Sequence, residues 1–98
     1  MIDLIKSETF DDWLLGLRDV RAKAKILLRL DRLRLGNPGD VKPVGEGISE
    51  MRIDYGPGYR IYFTQKGRTL LILLCGDDKD TQDRDIRLAK SIAADWRN

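Results

Sequence analysis

Arg52, Arg60 and Tyr62 lie in the stretch MRIDYGPGYRIYF, residues 51–63, where apolar residues alternate with charged or aromatic ones around Gly56-Pro57-Gly58. Successive side chains of a strand point to opposite faces. The pattern therefore predicts a β-hairpin with one apolar face and one face carrying Arg52, Arg60 and Tyr62. Guanidinium groups bind phosphate bidentately and a tyrosine ring stacks on a base, so this face suits single-stranded RNA. Lys79 comes within reach if the segment after Leu74 folds over the sheet edge. A structural reading fits the same spacing: cross-strand ion pairs of Asp54 with Arg60, and of Glu50 or Asp54 with Arg52. Spacing alone leaves both open.

Composition narrows the chemistry. The 98 residues include no histidine and one cysteine, Cys75. The commonest general base and the commonest zinc ligand are thus missing, and a lone cysteine makes neither an internal disulfide nor a metal cluster. No metal or cofactor is expected. The length fits one domain, residues 1–98, since domains run from about 50 to 250 residues. The longest apolar run, Leu70 to Cys75, is far shorter than the roughly 20 residues of a membrane helix. These features predict a soluble cytoplasmic protein.

The elements that must position the arginines follow from periodicity. IDLIK at the N-terminus reads as a short strand. Residues 9–35 read as a short and a longer helix forming a hairpin, with Thr9 and Asp12 as a capping box and Asp19 as the second N-cap. Gly36 and Pro38 end the longer helix. That helix carries two apolar stripes. One is Ala22, Ile26, Leu30 and Leu33; the other is Val20, Ala24, Leu27, Leu28 and Leu35. Two stripes require two apolar partners. One is the domain's own sheet, and the other is the first helix, the structural choice, or a second protein. Arg18, Arg21, Lys25, Arg29 and Arg32 form a separate basic ridge, while the stretch from Asp77 to Asp85 is acidic.

After Pro43 the period becomes two. A three-residue Gly56–Gly58 loop pairs Tyr55 with Tyr59 and Ile53 with Ile61, and a Lys66-Gly67 turn pairs Phe63 with Leu70 and Ile61 with Ile72. Met51, Ile53, Ile61, Phe63, Leu70 and Ile72 then face the hairpin. The opposite face holds Glu50, Arg52, Asp54, Arg60, Tyr62, Thr64, Leu71, Leu73 and Cys75. A last helix, residues 80–96 and capped by Asp80, covers part of it. The fold class is α+β: a helical hairpin on a small, mainly antiparallel sheet with a C-terminal helix.

This order of elements, with VKPVGEGISEMRI, YGPGYRIYF and LLCGDDKDTQDRDI, resembles the RelE/ParE superfamily of bacterial toxins, and within it the HigB-like addiction module killer branch. The resemblance covers nearly the whole chain. It implies a type II toxin, neutralised by a helix-turn-helix DNA-binding antitoxin in a toxin–antitoxin hetero-oligomer. It also implies a ribosome-dependent, metal-independent mRNA endoribonuclease in which the 2′-hydroxyl attacks the adjacent phosphate. Arg60 would contact that phosphate, Arg52 and Lys79 would add charge, and Tyr62 or Tyr55 would replace a C-terminal tyrosine that this chain lacks. Arg18, Arg21, Lys25, Arg29 and Arg32 would meet antitoxin or ribosome. A ParE-like gyrase inhibitor and a non-catalytic interaction module are the alternatives.

Overall fold

The computed structural model describes residues 2–96, excepting the side chain of Lys79. The chain runs β1 (Asp3–Lys6), α1 (Glu8–Gly16), α2 (Val20–Arg34), β2 (Val41–Gly45), β3 (Ile48–Ile53), β4 (Tyr59–Lys66), β5 (Leu70–Asp78) and α3 (Gln82–Asp95). The sheet order is β1-β5-β4-β3-β2, antiparallel except for β1, which pairs parallel to β5. This is an α+β fold with a mixed five-stranded sheet. Helices α1 and α2 lie on one face and α3 on the other.

Helix ends follow their side chains. Ser7, not Thr9, caps α1: its buried hydroxyl accepts from the Phe10 N–H and donates to the Leu74 carbonyl. Asp19 caps α2 as expected, accepting from the N–H groups of Arg21 and Ala22. Asn37 and Gly36 close the C-terminal end of α2 by donating to the carbonyls of Arg32 and Leu33, which satisfies orphaned carbonyls. Asp78, not Asp80, caps the 3₁₀ turn Lys79–Thr81 that precedes α3.

The core stripe of α2 is buried as its periodicity predicts. Ala22, Ile26, Leu30 and Leu33 are all buried, the last three among Phe10, Leu14, Met51, Ile53, Ile61 and Phe63. The second stripe is not covered by α1. Val20, Leu27, Leu28 and Leu35 remain 79%, 42%, 50% and 67% exposed. The expectation of internal packing for that stripe is corrected here: α1 lies against β5 and leaves it bare.

Both predicted strand registers shift. Ile53 pairs with Tyr59 rather than Ile61, because the β3–β4 loop spans residues 54–58. A shift of two residues preserves facing, so Arg52 and Arg60 stay off the hairpin face. The β4–β5 connection spans residues 67–69, and Phe63 pairs with Leu73, not Leu70. The ladder then breaks between Tyr62 and Phe63, where Leu74 is the extra residue of a bulge. Leu71 and Leu73 consequently join the α1/α2 core, while Ile72, Leu74 and Cys75 pack with Ala89 and Ala93 of α3. The expected faces hold for Cys75 and invert before the bulge.

Two backbone positions constrain the frame. β2 and β3 form a tight hairpin through Glu46 and Gly47, with φ of 54° and 77°. Positive φ at both central positions gives the turn that matches strand twist. On β5, a Cβ added at Gly76 would stand 2.5 Å from the Trp13 ring, so glycine lets α1 sit directly on the strand.

Candidate functional site

The β ladders place Arg52 beside Arg60 and Arg60 beside Asp77, with Glu50, Tyr62 and Cys75 forming the next row. Like charges opposite each other on a sheet repel, and each arginine here is met by a carboxylate. Arg52 Nη2 donates to Asp40 Oδ1 at 2.8 Å, and Arg60 Nη1 stands 3.4 Å from Glu50 Oε1. Neither pair is one of those expected from spacing with Asp54. The Arg60–Glu50 contact is a charge contact only, since Arg60 Nη1 makes no hydrogen bond among the described residues.

Glu50 is the hub of this face. It is 1% exposed, and its Oε1 accepts from the Tyr62 hydroxyl at 3.1 Å and from Gln82 Nε2 at 2.8 Å. A buried carboxylate needs such donors, because its desolvation is otherwise costly. Tyr62 is fully buried. Burial first, then the Glu50 charge, pushes its phenol far above the ordinary value, so it stays a neutral donor. Glu50 Oε2, Arg52 Nε and Arg60 Nη1 are shielded from solvent and have no hydrogen-bond partner among the described residues. Gln82 begins α3, so this network ties the helix to the sheet.

Cys75 is buried, and burial with the nearby Asp85 and Asp77 charges pushes its thiol up to about 12. That makes a poor nucleophile. The backbone of Lys79 starts the 3₁₀ turn after β5, but its side chain lies outside the described residues. Tyr55 sits apart from Arg60, in the β3–β4 loop: Lys25 Nζ lies 5.4 Å from its ring centre and its hydroxyl reaches Asp19 at 3.5 Å.

The basic ridge of α2 divides. Arg29 is half-buried, and its guanidinium donates to the carbonyls of Arg52 at 2.7 Å and Pro38 at 3.1 Å. Arg18, Arg21, Lys25 and Arg32 are exposed and make no ion pair among the described residues. Lys25, Leu28, Arg29, Arg32, Ile53 and Asp54 line a shallow groove of about 250 Å³. It shares Ile53 and Asp54 with a second concavity of about 390 Å³ that reaches Asp40, Arg52 and Arg60.

Asp40 and Gln82 escaped sequence reasoning because both come from segments whose placement depends on the tertiary fold. Glu50 was legible only as a member of the polar face. Its row lies between Ile48–Thr64–Ile72 and the charged row Arg52–Arg60–Asp77. Among the described residues, no group of three or more His, Cys, Asp or Glu is arranged to hold a metal ion, and no helix is long and apolar enough to cross a membrane.

The fold and these surfaces define a small α+β domain with a carboxylate-paired arginine row and an uncovered basic–apolar helix. Residues 12–94 match the family described as Phage derived protein Gp49-like (DUF891), and the chain belongs to that family. It is also 56% identical over 85 residues to a Haemophilus influenzae (strain ATCC 51907 / DSM 11121 / KW20 / Rd) protein described as an uncharacterized protein, covering 87% of this chain and 86% of that one.

These matches correct the expectation from resemblance. The family is Gp49-like, not RelE/ParE or its HigB-like branch. Neither match is to a known toxin or nuclease. The toxin–antitoxin, translation-inhibition and mRNA-cleaving readings lose their basis.

Proposed function

We propose that this protein binds a partner protein through the outward face of α2, and that the partner contributes an acidic, amphipathic segment. The observation that carries this is a contrast between two sets of cations. On the sheet, Arg52 and Arg60 already face Asp40 and Glu50. On α2, Arg21, Lys25 and Arg32 flank Val20, Leu27 and Leu28 and have no ion-pair partner among the described residues.

Val20, Ala24, Leu27 and Leu28 recur at helical spacing and form one stripe. Fully burying a leucine or valine side chain contributes about 1.5–3 kcal/mol, so an uncovered stripe is a strong driving force for association. A contiguous exposed apolar patch with a polar rim is a mark of interaction sites. Pairing with a second copy is disfavoured: α2 carries Arg21, Lys23, Lys25, Arg29, Arg32 and Arg34 against Asp31 alone. Nucleic acid would answer the charge but leave the leucines uncovered. An acidic amphipathic segment answers both.

The test is site-specific photo-cross-linking in the cell that produces the protein, with the photoreactive residue at Leu28. Leu88, 41% exposed on α3, provides the control position. A discrete protein adduct from position 28 and none from position 88 is expected. No adduct from 28, or equal adducts from both, contradicts the assignment.

A further inference from the structure

We infer that the docking face continues past α2 to Arg52, where an acidic side chain of the partner replaces Asp40 as the guanidinium's counter-ion. This rests on the α2 reading above and names the contact that gives it specificity for a carboxylate.

Arg52 Nη2 donates to Asp40 Oδ1 at 2.8 Å, while the neighbouring Nε has no hydrogen-bond partner among the described residues. Nε and Nη2 lie on one edge of a guanidinium and together match the two oxygens of a carboxylate. Asp40 therefore occupies half of a two-toothed fork whose Nε edge is shielded from solvent in this structure, so a partner carboxylate engages both teeth only as Asp40 moves aside. It also holds its place loosely: its side chain is 59% exposed, and that of Arg52 is 42% exposed. An exposed pair of this kind contributes little net stability, so its anion is readily exchanged. Arg60 also has an unsatisfied nitrogen, Nη1, but its counter-ion Glu50 is buried and held by Tyr62 and Gln82, so it does not exchange.

The route from α2 to Arg52 is continuous. The groove beside Leu28 and the concavity at Arg52 share Ile53 and Asp54. Arg29 stiffens the join by donating to the Arg52 carbonyl. A segment seated on Leu28 thus reaches the fork across the Ile53 surface. A partner Asp or Glu brings a single charge to the concavity beside the displaced Asp40 and Asp54. A phosphate chain would bring several, which Asp40 and Asp54 repel.

The experiment repeats the position-28 cross-linking in four backgrounds: the otherwise unaltered protein, Asp40→Asn, Arg52→Lys and Arg84→Lys. Asp40→Asn frees the fork and should raise adduct yield several-fold. Arg52→Lys keeps the charge but loses the fork, and should lower it several-fold. Arg84→Lys, at an exposed position of α3, should change nothing. The cross-linked partner peptide should contain Asp or Glu, and the adduct should resist nuclease. Thermal melts confirm that each variant folds. Equal yields in all four backgrounds overturn the Arg52 contact and leave the α2 assignment standing. Absence of any adduct overturns both, as does a nuclease-sensitive adduct.

Discussion

The Tyr62 hydroxyl donates to Glu50 Oε1 across the β4–β3 ladder at 3.1 Å, with both side chains excluded from solvent. The pair sits under Arg60 and beside Gln82, so it fixes the arginine row and the start of α3 together. Removing the hydroxyl leaves a buried carboxylate with one donor fewer. Tyr62→Phe should lower stability by about 1–3 kcal/mol, measured by urea denaturation. An unchanged midpoint would show that the hydrogen bond carries no net stability.

Gly76 meets Trp13 with no room for a methyl group: an added Cβ lies 2.5 Å from the ring. Gly76→Ala should destabilise by about 1–3 kcal/mol, as overpacking does. Gly76→Ala combined with Trp13→Leu should cost less than the sum of the single variants, since the substitutions share one contact. Strict additivity would contradict the close approach.

Burial raises the Cys75 thiol from 9.0 to about 12. Between those values the folded chain keeps a proton that the unfolded chain releases. Unfolding is therefore favoured as pH rises: stability declines from about pH 9 to about pH 12. Cys75→Ala should flatten that limb of the pH–stability curve, read from thermal melts. An unaltered slope would show that the thiol titrates no differently in the fold.

How much of this was legible depended on parity. The five-residue β3–β4 loop displaced the ladder by an even number of residues, so Arg52 and Arg60 kept their predicted face. The β4–β5 connection displaced the ladder by three, an odd number, and exchanged Leu71 and Leu73 with Ile72, while the Leu74 bulge added a fourth residue and returned Cys75 to its expected face. The run LLILL gave no warning, because a strand buried on both faces lacks alternation. The two stripes of α2 were plain in the sequence. Which one was covered depended on where α1 lay, and that is set by long-range packing such as Trp13 on Gly76. The carboxylates opposite the arginines were obscured for the same reason: Asp40 comes from the loop before β2, and Glu50 reaches Tyr62 only in the true register.

Leu28 offers a separation of binding from folding. It is 50% exposed and lies outside the buried cores. Leu28→Asp should leave the melting temperature within a few degrees of the parent. A fall as large as that of a core substitution, about 2–5 kcal/mol for Leu→Ala, would mean that the stripe packs within the domain.

The most direct measurement of the docking claim is a calorimetric titration with the partner segment identified by position-28 cross-linking, made as a synthetic peptide. The account predicts saturable one-to-one binding that weakens by tenfold or more, about 1.4 kcal/mol or more, in Leu28→Asp and in Lys25→Glu with Arg32→Glu. It also predicts weaker binding as salt rises, because exposed charges are screened. Binding that is indifferent to both variants and to salt would contradict it.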